Sequence, residues 1–155
     1  MKKAITIITV LVCSMLAACH PQGKDAPLVQ RDFFNDTWER FDYVYNNIKI
    51  NEETCYDLNL GISFTEAYPY DDFSMVFSVF DAQGNPYRSR GYKFKLKDAD
   101  GQWNAQLIDG CHTFTLPVNK EFRITEPGTY RFQIEYRMPK TPLNGVRSLT
   151  LYANN

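Results

Sequence analysis

Tyr56-Asp57-Leu58-Asn59-Leu60-Gly61-Ile62-Ser63-Phe64 alternates without a break, every even position from Tyr56 to Phe64 being apolar or aromatic. Side chains on a strand point to opposite faces in turn, so this stretch reads as a β-strand with one face buried. The same period of two returns along the chain. Phe73, Met75, Phe77 and Val79 share one parity. Tyr92, Phe94 and Leu96 alternate with Lys93, Lys95 and Lys97. Phe114, Leu116 and Val118 alternate with Thr113, Thr115 and Pro117, and Tyr130, Phe132, Ile134, Tyr136 and Met138 with Arg131, Gln133, Glu135 and Arg137. Residues 146–153 change parity after Val146, which predicts a bulge near Arg147-Ser148. Phe41-Asp42-Tyr43-Val44-Tyr45 reads as a further strand, with Phe33 and Phe34 beginning an earlier one. Asp81-Ala82-Gln83-Gly84-Asn85-Pro86, Asp98-Ala99-Asp100-Gly101 and Glu126-Pro127-Gly128 are turn formers between the runs. No segment carries an apolar stripe of helical period and length. Seven or eight strands joined by turns predict an all-β fold, an antiparallel β-sandwich. Pro117 lacks the amide hydrogen a ladder needs, so its strand is expected at an edge.

The N-terminus carries a different pattern. Met1-Lys2-Lys3 is followed by an apolar run and then Leu16-Ala17-Ala18-Cys19. Basic start, apolar middle and small residues make residues 1–18 a secretory signal peptide, too short to be a spanning helix. Leu-Ala-Ala-Cys resembles the bacterial lipobox. That resemblance implies a diacylglycerol on the Cys19 thiol and an N-acyl chain on its amine, with no other cofactor. Several acyl chains on one residue make membrane attachment effectively permanent, since each buried CH2 contributes about 0.8 kcal/mol. Residues 19–31, with Pro21, Gly23 and Pro27, read as a lipidated tether, and residues 32–155 as the sandwich domain.

Charge narrows the function classes. Removing Lys2 and Lys3 from the 17 basic residues leaves 15 against 18 acidic ones, a net −3 from Cys19 onward. That balance argues against a nucleic-acid partner. Cys13 leaves with the signal peptide and Cys19 is acylated, so Cys55 and Cys111 remain as a predicted disulfide of an exported domain. His112 beside Cys111 does not make a thiol enzyme, because neighbouring strand residues face opposite ways. Asp98-Ala99-Asp100-Gly101 begins like a calcium loop, but position twelve is Asp109 rather than glutamate, so a turn is expected and no metal site. Tyr68, Tyr70, Tyr87 and Trp103 fall in or beside predicted loops, where aromatic rings can anchor a partner or stack on sugars.

Asn35-Asp36-Thr37-Trp38, Tyr68-Pro69-Tyr70, Phe80-Asp81-Ala82-Gln83-Gly84, Asp98-Ala99-Asp100-Gly101-Gln102-Trp103, Pro127-Gly128-Thr129-Tyr130-Arg131-Phe132, Met138 and Pro142-Leu143-Asn144-Gly145-Val146 occur in that order. In that order, and with the lipobox, the chain resembles the gliding-motility lipoprotein GldH family of Bacteroidetes. The resemblance covers nearly the whole domain. It implies a membrane-anchored accessory protein linked to motility and secretion machinery, with no catalytic residues to carry over. The expected function is therefore a non-enzymatic lipoprotein that binds other envelope proteins. The competing reading is a glycan-binding module using Tyr70, Tyr87 or Trp103 as stacking platforms; a small hydrolase is a third. His20 is not the aspartate that retains lipoproteins in the inner membrane, which points to the outer membrane. The lack of an acidic run after Cys19 points to its periplasmic face.

Overall fold

Alternation of the quoted stretch becomes β4 (Thr54–Phe64) of a two-layer sandwich, and its apolar side chains Leu58, Leu60, Ile62 and Phe64 are fully buried. The computed structural model describes residues 26–154. The other elements are β1 (Ala26–Asp32), a 3-10 turn (Phe34–Asp36), β2 (Thr37–Trp38), β3 (Val44–Ile50), β5 (Asp72–Phe80), β6 (Pro86–Lys95), β7 (Gln106–Ile108), β8 (Cys111–Ile124), β9 (Gly128–Tyr136), β10 (Leu143–Asn144) and β11 (Val146–Asn154). Among the described residues there is no α-helix. The described residues form eleven strands, eight of them seven residues or longer.

One sheet has the order β1-β11-β4-β8-β7 and the other β3-β9-β5-β6, every pair antiparallel; β2 and β10 form a small ribbon at one end. Phe73, Met75, Phe77 and Val79 of β5 face the β4 row across the core, with Phe132 and Ile134 from β9 and Leu149 and Leu151 from β11. Each such side chain, taken fully out of water, contributes roughly 1.5–3 kcal/mol. The sheets close against each other on one side, where Asn46 Nδ2 of β3 donates to the Leu28 carbonyl of β1 at 2.9 Å.

The predicted bulge is where β11 shifts register against β4, between Val146 and Ser148. Pro117 also lies at an edge: β7 covers only residues 111–113 of β8, leaving the rest of that side unpaired among the described residues.

Two expectations are corrected. Residues 26–31, read as tether, form most of β1 and pair with β11 from Ala26↔Ala153 to Asp32↔Ser148. Pro27 conceals this in the sequence, and an edge strand tolerates it. Phe41-Asp42-Tyr43 lies outside any strand, and β3 begins at Val44.

Registers also define two ends. Ala26, Thr54, Ile124 and Asn154 lie at the end where β1 begins; Asp32, Phe64, Cys111 and Val146 lie at the opposite, far end. Val44, Tyr136 and Asp72 follow at the far end in the second sheet.

Candidate functional site

The far end gathers the features that core packing does not explain. Phe34 is 86% exposed and Phe41 71%, with Tyr43 beside them also exposed. Asn35 (φ 51°), Asp36 (φ 53°) and Phe41 (φ 63°) all sit in the left-handed region. Asn and Asp tolerate it; for a bulky aromatic it is an outlier. Such residues cost about 1–3 kcal/mol each and persist where the surroundings over-determine them.

The surroundings here do so. The Asp36 carboxylate is held by Arg147, its Nη2 donating to Oδ2 at 3.1 Å and its Nε to Oδ1. Gly145 N donates to the Asp36 carbonyl at 2.8 Å, and Phe33 N to that of Arg147 at 2.9 Å. On the other loop, Trp38 Nε1 donates to the Asp42 carbonyl at 2.6 Å, and Arg31 pairs with the Asp42 carboxylate at 3.2 Å. Trp38 is fully buried, stacked on Phe33 at 4.8 Å and edge-on to Tyr136 at 5.2 Å. Asp42 is thus fixed from two sides, and Phe41 before it is turned into solvent with the Arg40 guanidinium 4.8 Å over its ring. Beneath Phe41 lies a cleft of about 420 Å³ between Trp38, Tyr43, Tyr136 and Met138.

A second group on this end forms around Trp103. His112 stacks on its ring at 4.3 Å and 8°, and Lys97 Nζ lies 4.5 Å from its centroid. His112 Nε2 pairs with Glu66, and Lys97 with Asp71 at 3.6 Å. The hydrogen bond from His112 is the main cause holding the Glu66 carboxyl below its usual range. His112 therefore engages Glu66 and Trp103, not the thiol of Cys111.

The four aromatic positions expected as candidate binding residues divide between the ends. Tyr68 is a core residue, 2% exposed, its ring 4.3 Å from Phe64 and its hydroxyl donating to the Asp72 carbonyl at 2.8 Å. Burial pushes its phenol well above the ordinary range. Tyr70 packs edge-on against Tyr68, and Trp103 is half-buried with its ring already taken by His112 and Lys97. Tyr87 is at the other end, against Phe122 and Tyr130, its hydroxyl donating to the Arg123 carbonyl at 3.1 Å. The nine residues of β5 separate the two groups by about 27 Å. Tyr68, Tyr70 and Trp103 pack into the far end, while Tyr87, 38% exposed, lies at the opposite one.

Cys55 and Cys111 are free thiols, and the predicted disulfide is overturned. Cys111 begins β8 while Cys55 pairs with Arg123 near its other end. Twelve residues of strand put their Cα atoms about 40 Å apart, far beyond the ~7 Å a bridge tolerates. Cys19 lies outside the described residues. The Asp98 turn spends its carboxylate on backbone, Oδ1 accepting from Asp100 N and Gln102 N, both at 2.9 Å. Asp81 does the same with Gln83 N at 3.0 Å and Asn85 N at 2.8 Å.

Phe34, Phe41 and Tyr43 went unread as surface residues because aromatic runs resemble strands. The signal available was Asn35-Asp36, a pair tolerant of left-handed backbone, set directly after Phe34.

A model of the GldH lipoprotein family matches residues 29–151. The chain belongs to the GldH lipoprotein family. The match starts within β1 and ends within β11, so the sandwich as a whole is the GldH unit. A GldH lipoprotein is by description membrane-anchored, in the cell envelope. No curated protein sequence matches this GldH-family chain. Among solved structures it is similar to dimeric latent PorU from Porphyromonas gingivalis, at 10% identity and a TM-score of 0.34 over 85% of this chain and 11% of that one. It is also similar to the VP2 subviral particle of infectious bursal disease virus, at 12% identity and a TM-score of 0.33 over 96% of this chain and 35% of that one. The chain spans well under two thirds of either.

Proposed function

We propose that this GldH-family protein is a non-enzymatic, lipid-anchored binding component of an envelope assembly tied to motility or secretion, and that its far end is the surface that meets other envelope proteins. Cys19 carries the diacylglycerol and the N-acyl chain. The domain is held at the outer membrane, on the periplasmic side. Only residues 20–25 separate Cys19 from β1, a reach of at most about 25 Å. The seven residues of β1 then carry the chain about 20 Å away from the anchored end. The aromatic loops so project away from the bilayer, toward partners instead of lipid.

Phe41 carries this reading. An aromatic ring 71% exposed on a left-handed backbone, held by the two polar contacts to Asp42 beside it, costs the free domain stability that its slight packing does not return. Aromatic anchors of this kind dominate binding energy once a partner covers them. Photo-crosslinking tests it. Benzoylphenylalanine at Phe34 or Phe41, in cells, is expected to trap one defined envelope protein, and the same label at Tyr87 is not. Equal trapping from both ends, or unchanged partner recovery by a Phe34→Ala/Phe41→Ala variant, refutes the assignment. Protease treatment of intact cells tests the membrane face: the domain is expected to survive, and its loss would place it on the cell surface.

A further inference from the structure

The side of the sandwich opposite the Asn46–Leu28 closure is open. β6 ends its sheet, and among the described residues it pairs only with β5. From Arg88 to Lys95 that pairing is in unbroken register. The other sheet's free edge on this side, β8 beyond Thr113, is interrupted by Pro117 and by register shifts against β4 between Tyr56 and Asn59. On this side, among the described residues, only β6 therefore offers a regular row of free backbone donors and acceptors, the template that strand addition requires.

Its side chains define what would pair there. Directly opposed residues share a face, so Arg88, Arg90, Tyr92 and Phe94, opposite the buried Val79, Phe77, Met75 and Phe73, point toward the core side. They reach an incomplete core: Tyr92 and Phe94 stay only partly buried, stacked on each other at 5.9 Å. The Arg88 guanidinium caps Phe122 at 5.2 Å, and Arg90 lies 5.4 Å over Tyr92. The Tyr92 hydroxyl is buried without a hydrogen-bond partner. Lys93 and Lys95 point outward, and β6 contains no acidic residue. Of its four cations only Lys93 has a carboxylate partner in the ion pairs found, Asp72 at 2.9 Å. In a chain with more acids than bases, this edge is a concentrated positive stripe.

We propose that the β6 edge receives an extended acidic segment of a partner protein as an added strand. Like charges set directly opposite each other are unfavourable, so the same arginines and lysines prevent two copies from pairing β6 to β6. They favour a strand whose carboxylates face Arg88 and Arg90 inside and Lys93 and Lys95 outside, with apolar residues over Tyr92 and Phe94. Such a strand would cover the half-open rings and bring backbone acceptors near the Tyr92 hydroxyl. The proposal is independent of the aromatic loops.

The test uses the acylated protein in neutral detergent and an end-blocked, fluorescein-labelled peptide, about nine residues long to match β6, of sequence Thr-Glu-Val-Glu-Val-Thr-Glu-Thr-Glu, which in antiparallel register sets Glu opposite Lys95, Lys93, Arg90 and Arg88 and Val opposite Phe94 and Tyr92. Anisotropy is expected to report saturable binding that weakens at least roughly tenfold in Arg88→Glu/Arg90→Glu. The outward pair Lys93→Glu/Lys95→Glu is expected to do the same, guarding against a folding defect from the inward charges. Lys49→Glu, a cation on another strand, is expected to change nothing. A peptide with proline at its centre should bind at least roughly tenfold more weakly, since it cannot complete a ladder. Equal binding of the proline peptide would mean charge attraction without strand addition and overturn the proposal. So would insensitivity to both β6 pairs, absence of binding at about 1 mM peptide, or binding of heparin with none of the peptide, which would identify an anionic polysaccharide site.

Discussion

Gly145 is the position where one methyl group should loosen the far end. Its φ is +82°, and a Cβ there would lie 2.3 Å from Tyr68 N, 2.5 Å from Tyr68 Cα and 2.8 Å from the Ala67 carbonyl carbon. All three are backbone atoms, so no side chain can rotate away. Gly145 also donates to the Asp36 carbonyl at 2.8 Å and accepts from Thr65 N at 2.9 Å. Gly145→Ala forces alanine into left-handed backbone, at about 1–2 kcal/mol, and separates segments joined by two hydrogen bonds worth about 1 kcal/mol each. The expected loss is about 3–4 kcal/mol, a large fraction of the 5–15 kcal/mol typical of a domain. Gly84→Ala is the matched control: its φ is +83° but nothing lies within 4 Å of the added carbon. It should lose only the backbone cost, about 1–2 kcal/mol. Urea unfolding followed by tryptophan fluorescence measures both, since Trp38 and Trp103 sit at the far end. If the two variants lose stability equally, within about 0.5 kcal/mol, the close approach of Gly145 to Tyr68 is not a constraint in solution.

Tyr68→Phe deletes the donor to the part-buried Asp72 carbonyl while keeping the ring, and is expected to cost about 1–2 kcal/mol by the same unfolding assay. Phe34→Ala and Phe41→Ala remove exposed rings and should leave stability within about 0.5 kcal/mol of the parent, so that any loss of partner binding is a surface effect. The Asp81 carboxyl is held below its ordinary range, chiefly by the backbone and side-chain hydrogen bonds from Asn85. A carboxyl depressed in the folded state stabilises fully above its unfolded value and loses that contribution as pH falls through the folded one. Asp81→Asn should therefore flatten the acid limb of the stability curve below about pH 4, and an unchanged limb would contradict the turn geometry. Native alkylation should label Cys55, which is exposed, and reach the buried Cys111 only after unfolding; recovery of a Cys55–Cys111 bridge would contradict the strand register.

The sandwich was legible because its long strands bury one face, and a half-buried strand writes its burial as period two. Leu58 to Phe64 of β4, Phe73 to Val79 of β5 and Tyr130 to Ile134 of β9 bury the alternate apolar residues their sequence marks, with Ser78 buried out of phase. Even the bulge in β11 showed as a change of parity. The misreadings share a physical cause. β1 begins with a Pro-containing segment at an edge, where one missing amide costs little. The Phe41 loop is aromatic without being buried, so composition mimicked a strand. The disulfide failed because pairing by elimination contains no distances, and strand β8 alone separates the two thiols. At the candidate site, Trp38 and Gly145 were visible as motif residues, but neither the left-handed turn at Phe41 nor the Glu66–His112–Trp103 group has a spacing from which it could be read. The latter joins residues 46 positions apart, Glu66 and His112, through a register that only the folded sheet sets.

The placement of β1 bears on how the domain transmits force. Its first residue is at the end nearest the proposed Cys19 anchor and its last leads directly into Phe33 and the aromatic loops. A pull between a membrane anchor before β1 and a partner gripping the far end through the other strands would run along the axis of β1. The ladder to β11, from Ala26↔Ala153 to Asp32↔Ser148, lies across that direction. Hydrogen bonds perpendicular to the strands share such a load together, in shear, rather than opening one after another as in a peel. The strand that joins tether to sandwich is thereby placed to resist extraction by tension, and a tug from the side would find it far weaker.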